Sequence, residues 1–439
     1  MSDVSTPPVA AQPVAAQPVA AQPGTAPSDA AHPVTRRDED QGVVVVGAGP
    51  VGLTAALALR TYGVPVTVLE AGPEGRQRPG SRAIFTHSQT LQILDRISPG
   101  LGAELYGHGV YWNTQRTFHG GKEVYAKTYP DPPAGVYPHF TSLPQVQIEA
   151  YLYARALAAG VTFAWSQEIA QVAADDDGVT LTTVAGRRWE ASYVVGADGS
   201  RSAVRKQVGA RMEGTRDEGW YVVVDVAEKD EPTLPNERHF HYAHPAVGGR
   251  NVLIVPFAGG YRVDLQLVEG DDPDALASDE GVSAWLDAVL PPGYGERTTW
   301  VSTYQFLQLV AHDFADPHRR VLLVGEAAHL FAPFGARGLN SGVPDAEAAA
   351  IAIAAATRAA GAAARTPVEA FALARRSAAL FNRDAAGEAL AHLRPDEQTA
   401  ARVLAAAERA PGDAEASVWL EKAPYGPRGV HRAETVYRY

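Results

Sequence analysis

The sequence predicts an α/β fold: a doubly wound domain, interrupted by a mostly antiparallel β-sheet domain and completed by C-terminal helices. Three observations carry that reading. Residues 42–69 run apolar strand, Gly-rich turn, helix and second strand, a βαβ unit within about 30 residues. Residues 215–310 hold successive strand-like segments separated by turn residues. Residues 320–325 then resume the first pattern and lead into Ala-rich helical periodicity.

The elements follow in order. Residues 1–40 are a low-complexity tail in which PVAAQ repeats three times from Pro8 to Gln22. Proline every fifth residue stops helix and sheet alike, so a disordered, polyproline-II-rich tail is expected. Val43–Val46 is a β-branched run suited to a strand covered on both faces. A helix is expected over 50–62, ended by Gly63, with a strand over 64–69. Helices are expected at 86–96 and 145–159, the second stopped by Gly160. Strands are expected at 161–172 and 178–184, around the turn Asp175-Asp176-Asp177-Gly178, and at 193–196. The inserted sheet is assigned strands 220–226, 237–243, 251–257, 261–268 and 300–308. Helices 343–360, 366–383 and 394–410 finish the chain.

Composition narrows the function. The 439 residues are 46% hydrophobic and 20% charged, enough apolar material for a large core. Lys and Arg total 38 against 50 Asp and Glu, a net charge of −12 that argues against a nucleic-acid partner. There is no cysteine, hence no disulfide, thiolate metal site or cysteine nucleophile. No HExxH occurs; His239 and His241 would share a strand face, where ordinary packing outweighs metal binding, so no metal is expected. The N-terminus lacks the basic and apolar regions of a signal peptide, and the most apolar stretches are interrupted by Gly, Pro or Arg358. A cytoplasmic protein without membrane contact is expected.

Three motifs carry chemistry. In Gly47-Ala48-Gly49-Pro50-Val51-Gly52, Gly47 suits a tight turn, Gly49 a close approach to a pyrophosphate, and Gly52 close helix–strand packing. The helix N-terminus behind them favours an anion. Glu70 ends the next strand about 20 residues on, where a carboxylate can accept both hydroxyls of an adenosine ribose and favours FAD or NAD over NADP. This combination reads as a Rossmann-like dinucleotide site. The second motif, Gly196-Ala197-Asp198-Gly199-Ser200-Arg201-Ser202, is a turn after a strand with a serine N-cap. The third begins Gly325-Glu326-Ala327-Ala328-His329 and continues through Pro333-Phe334-Gly335-Ala336-Arg337-Gly338-Leu339-Asn340. Asn340 or Ser341 is expected to cap the following helix, with Pro344 in its first turn and Asp345 near its positive end. Such a helix start would stabilise negative charge on a cofactor ring.

In this order and spacing the motifs resemble the class A flavoprotein monooxygenases, the p-hydroxybenzoate hydroxylase-like family, over about residues 42–385. The resemblance implies FAD as cofactor and NADPH or NADH as electron donor. It implies that Gly47, Gly49, Pro50, Gly52 and Glu70 hold the ADP half and that Arg82 lies near the pyrophosphate. It places Gln145 on FAD, the backbone of Ile169 against the adenine, and Asp198 between FAD and the path of NAD(P)H. Glu326, Pro333, Gly338, Leu339 and Asn340 should face the ribityl chain and flavin ring. The chain departs from the family pattern at Glu326, where aspartate is usual, and at Ala336-Arg337, which follow the single Gly335. Arg337 is expected to add positive charge near the flavin edge.

The implied reaction is hydroxylation of an aromatic or polycyclic phenolic substrate by O2 through a flavin C4a-hydroperoxide. The division that follows is 41–214 and 313–362 for the FAD-binding domain, 215–312 for the substrate-binding sheet, and 363–439 for a C-terminal helical segment and strap. His241, Arg262, Tyr304 and Pro333 are candidates for substrate contact, with ordinary packing as the competing role. Tyr221 and Tyr242 stand beside them, and histidine suits deprotonation of a phenol near neutrality. A Baeyer–Villiger or epoxidising enzyme and a non-catalytic FAD-binding protein stay open as alternatives. A halogenase does not, since its Trp-x-Trp-x-Ile-Pro signature is missing. The segment after residue 395 is too short for the thioredoxin-like domain of larger relatives. A monomer or homodimer is expected.

Overall fold

Four buried valines open the folded unit in the computed structural model, which describes residues 42–76, 84–229, 234–425 and 430. The tail expected over 1–40 lies outside the described residues. Strand β1 (Val43–Val46) turns through Gly47–Gly49 into α1 (Pro50–Thr61) and β2 (Val66–Leu69). Next come β3 (Ile84–His87), α2 (Ser88–Ile97) and α3 (Leu101–His108). The chain continues with β4 (Thr114–His119), β5 (Lys122–Thr128), β6 (Phe140–Leu143), α4 (Gln145–Ala158) and β7 (Thr162–Ala164). A three-stranded sheet of β8 (Ile169–Ala174), β9 (Val179–Thr183) and β10 (Arg188–Ala191) precedes β11 (Tyr193–Gly196) and α5 (Ala203–Gln207).

The long strands follow: β12 (Met212–Ala227), β13 (Glu237–His244), β14 (Arg250–Phe257) and β15 (Gly260–Gln266). Helices α6 (Pro273–Ala277) and α7 (Asp279–Val289) lead to β16 (Thr298–Ala311), β17 (Val321–Leu323) and β18 (His329–Leu330). The chain then turns helical in α8 (Arg337–Ala356), α9 (Arg365–Leu393), α10 (Glu397–Arg409) and α11 (Ala414–Lys422).

The five-stranded sheet has the order β17-β11-β1-β2-β7 and is parallel throughout. Its strands read as unbroken apolar runs because both faces are covered; Val45, Val68, Val194 and Leu322 have no exposed surface. The eight-stranded sheet has the order β18-β16-β12-β15-β14-β13-β4-β5 and is antiparallel except between β13 and β4. Period-two alternation splits it into two faces. Val222, Val252, Val263 and Leu265 pack with Trp285 and Leu286 of α7. On the opposite face Tyr221, Phe240, Tyr242 and Phe306 meet Phe334 and the C-terminal helices.

The structure departs from the sequence expectations in places with clear causes. The strand expected over 161–172 is two strands in two sheets, because Ser166 adopts a left-handed φ of 56° and reverses the chain. Strands β4 and β5, which lack clear apolar alternation, extend the large sheet from outside residues 215–312. Helix α8 starts at Arg337, behind Ala336 in the left-handed region (φ 52°) and without a side-chain cap. Asn340 and Ser341 are therefore not caps, and Pro344 lies well inside the helix. Asp345 lies within the helix as well and is fully buried. Among the described residues no helix is long and apolar enough to cross a membrane.

Buried charge ties the last elements to the sheets. Glu421 of α11 pairs with Arg238 of β13, each side chain 6% exposed, and accepts from Thr117 of β4. Asp345 accepts from Arg375 Nε of α9 at 2.6 Å, His329 Nε2 of β18 at 2.6 Å and the Gly325 N–H at 3.1 Å. Burial alone would push the Asp345 carboxyl up; Arg375 and His329 outweigh it and hold it below the usual carboxylate range.

A depressed folded-state pKa adds stability above the unfolded carboxylate pKa of about 4, and that stability is lost as pH falls through the folded value. Thermal unfolding at a series of acidic pH values should show this loss in the wild type. Asp345→Asn should remove that component and cost about 3–5 kcal/mol at neutral pH, since it takes the anion from beside buried Arg375.

Candidate active site

The first motif forms a cradle because side chains are missing from it. Gly47 has φ +105°, and a Cβ there would lie 2.5 Å from the Ala197 carbonyl oxygen. A Cβ on Gly52 would lie 1.9 Å from the Gly47 oxygen. Gly49 is the extended N-cap and Pro50 the first helical residue, so the Val51 and Gly52 N–H groups open outward without helical acceptors. That arrangement fits a dinucleotide pyrophosphate.

Glu70 reaches this cradle but is already engaged. Its Oε2 accepts from the Ala48 N–H at 2.8 Å and its Oε1 from the Gly72 N–H at 2.9 Å. Arg76 Nη2 lies 2.9 Å from Oε2. Arg76 is absent from the sequence reading; the signal was a cation in a Gly-rich loop just beyond the acid. A cavity of about 360 Å³ beside Ala48 is lined by Leu53, Arg76, Glu149, Tyr153 and Trp165. Gln145, the first residue of α4, donates to Glu149 at 2.8 Å. Ile169 starts β8 with its side chain buried, and nearby the Gln167 N–H donates to the Glu70 carbonyl. Arg82 lies outside the described residues.

The second motif is held by its own hydrogen bonds. Asp198 accepts from Ser202 Oγ at 2.5 Å and from the Val204 N–H at 3.0 Å, closing the start of α5. Arg205, which burial makes a weaker base, donates to the carbonyls of Ser200 and Ala327, both at 3.1 Å. The second and third motifs are thereby joined.

In the third motif the expected residues divide. Glu326, Pro333 and Gly338 are exposed and Leu339 is half-buried, along the open side of the loop. Protein crowding pushes the Glu326 carboxyl above its usual range, with His329 and the Ser200 N–H opposing. Asn340 is different: it is fully buried. Its Oδ1 accepts from the His87 N–H and Thr90 Oγ1, and its Nδ2 donates to Phe85 O and Ala336 O. With both amide atoms committed, Asn340 pins α8 to β3 and α2. Arg337 is a correction. It is 1% exposed and donates to Asn382 of α9, so its charge sits inside the helix pair and not at an open edge.

Of the substrate candidates, Arg262 and Tyr304 share one sheet face with Tyr221. Cross-strand pairing places Tyr304 opposite Tyr221 and Arg262 opposite Asp225. Tyr221, Phe306 and Phe334 form an aromatic cluster with ring centroids 4.6 to 5.9 Å apart, and Tyr304 stacks at its margin. Tyr304 is 38% exposed. Arg262 is bidentate to Asp264 at 2.7 and 3.0 Å. Burial opposes its charge, but Asp264 and Asp225 outweigh burial and raise its pKa.

His241 is a correction. The register His241–Val252–Leu265–Val222 puts it on the face covered by α7, away from Arg262 and Tyr304. It stacks on Phe118 at 4.5 Å, and burial, with His244 and His239 nearby, lowers its pKa to about 3. Tyr242 is taken up by His392 and the Leu420 carbonyl. Among the described residues no group of three or more His, Cys, Asp or Glu could hold a metal ion.

Comparison with known proteins agrees with this geometry. Residues 40–379 match the FAD binding domain family. A 3-(3-hydroxy-phenyl)propionate/3-hydroxycinnamic acid hydroxylase of Mycobacterium sp. (strain JLS) is 31% identical over 324 residues, 72% of this chain and 54% of that protein. A 6-methylpretetramide 4-monooxygenase of Streptomyces rimosus is 32% identical over 321 residues, 69% of this chain and 54% of that protein. The chain spans about half the length of these curated relatives. The crystal structure of p-nitrophenol 4-monooxygenase PnpA from Pseudomonas putida DLL-E4 superposes with a TM-score of 0.71 at 26% identity, covering 88% of this chain and 99% of that one. OxyS anhydrotetracycline hydroxylase from Streptomyces rimosus gives 0.63 at 26% identity, covering 86% and 74%. With three glycine-built motifs meeting beside an aromatic sheet face, and the family match running through all of them, the chain belongs to the FAD binding domain family.

Proposed function

We propose that this protein is an FAD-dependent monooxygenase that uses NADPH or NADH and O2 to hydroxylate an aromatic or polycyclic phenolic substrate. The observation that carries the reading is the juxtaposition of the third motif with the Tyr221–Phe306–Phe334 cluster. The relatives named for hydroxyphenylpropionate, methylpretetramide and nitrophenol support the substrate class. Bound FAD supplies the electron transfer and the oxygen activation.

The chain's residues bind and orient. Val51 and Gly52 N–H groups hold the pyrophosphate at the start of α1. The Gly338 and Leu339 N–H groups, in the first turn of α8, face the flavin ring and favour negative charge there. The aromatic cluster stacks against the substrate ring and keeps water from it. Tyr304 offers a hydroxyl and Arg262 an oriented cation to a phenolic oxygen. In this reading the FAD-binding domain takes 41–214 and 313–362, the substrate sheet 215–312 and the helical strap 363–439. The protein works in the cytoplasm as a monomer or homodimer.

Purified protein should be yellow, and a panel of phenols should contain members that accelerate NAD(P)H oxidation. The product should carry one atom of isotopically heavy O2 by mass spectrometry. Colourless protein that takes up no FAD would sink the proposal. A flavin that neither coenzyme reduces, with any phenol present, would leave only a binding protein. Tyr304→Phe and Arg262→Leu should each raise the substrate KM roughly five- to tenfold, one lost hydrogen bond's worth, at unchanged FAD occupancy.

A further inference from the structure

We propose that Arg76 is an adenosine-binding residue of the cofactor site, held by Glu70 so that Nε and Nη1 donate to ribose or phosphate oxygens of the nucleotide. The inference rests on the FAD reading above and names a residue for it. The loop after Glu70 is built to return this side chain to the cradle. Gly75, with φ +72°, reverses the chain, and the Arg76 N–H closes the turn on the Pro73 carbonyl. The stem then crosses Gly72, where a Cβ would lie 2.2 Å from Arg76 Cδ. Only glycine leaves that path open.

At the end of the path Nη2 pairs with Glu70 and donates to the Ala48 carbonyl at 3.3 Å, one residue inside the first motif. Nε and Nη1 are buried and have no hydrogen-bond partner among the described residues, although the side chain as a whole is only 12% exposed. Buried donors are almost always satisfied, so a pair of them beside a cavity points to a ligand with oxygen acceptors. The cavity adds the rest of the specification. Among the described residues Arg76 is the cation that lines it, Glu149 is the acid, and Leu53, Val146, Tyr153 and Trp165 make an apolar and aromatic wall. Oxygens at one end and a flat apolar ring at the other describe an adenosine nucleotide. Glu70, with both oxygens already accepting backbone N–H groups, then orients the guanidinium more than it reads the ribose by itself.

The test is calorimetric titration of full-length apoprotein with FAD and with FMN, which lacks the adenosine half. Arg76→Ala should raise the FAD Kd about tenfold or more, and FMN binding should equal that of the wild type. Arg76→Lys should also weaken FAD, because an ammonium cannot span two in-plane acceptors. Unchanged FAD affinity in both variants overturns the proposal, as does an equal loss for FAD and FMN. If Arg76→Ala apoprotein melts below the wild type, Arg76→Lys decides. Wild-type apoprotein that takes up no FAD would instead end the cofactor reading itself.

Discussion

The close approach of three backbone segments around Val51 is the constraint on which the other features depend. The Val51 side chain would lie 3.0 Å from a Cβ on Gly325 and 2.5 Å from one on Gly342. On the other side of the same turn, Gly47 abuts Ala197, the residue before Asp198. The start of α1, the Asp-Gly turn and the start of α8 can converge only because Gly47, Gly325 and Gly342 carry no side chain at the contacts. The first N–H groups of α1 and α8 have no side-chain cap. No single motif makes the site; it arises where the crossovers of the parallel sheet bring three strand ends together.

Convergence alone would leave the segments free to slide, and buried polar groups prevent that. Arg205 spans the second and third motifs, Asp345 gathers Gly325, His329 and Arg375, and Asn340 fastens α8 to β3. Each link is directional, unlike the Ala-rich packing of α8 on α1 and α9. Small side chains permit helices to approach but specify register poorly. A buried carboxylate that must meet a guanidinium and an imidazole leaves one workable register. Two of these fasteners, Asn340 and Asp345, lie in segments that sequence patterns assign to ligand contact. Polar residues near a cofactor can be recognised from sequence, but which way they face depends on partners far along the chain.

That distinction explains what was legible. The parallel sheet was readable because strands covered on both faces are continuous in the sequence, as in Val43–Val46. The glycines were readable because each fills a steric demand within its own turn. The start of α8 was not, because Ala336 enters it through a left-handed conformation in place of a side-chain cap. The break between β7 and β8 rests on one residue, Ser166, whose N–H is claimed by Gly72 across the chain. The family comparison supports the cofactor site more directly than the substrate side, where alternation shows that two faces exist but not which one meets the cofactor.

The sheet faces bear on chemistry. A strand register shifted by one residue would exchange His241 and Tyr242 between faces. The observed register places Tyr242 under the C-terminal helices and His241 against Phe118. His241 is thereby kept from Arg262 and Tyr304, and the charged groups beside Arg262 on that face are Asp225 and Asp264. A phenol bound there would meet a tyrosine hydroxyl and a guanidinium that two carboxylates keep charged, both suited to hold a proton-bearing oxygen in place. In the proposed reaction the chain's contribution on this face would be orientation and exclusion of water, with the electron and oxygen chemistry left to the cofactor that the glycine-lined side is shaped to hold.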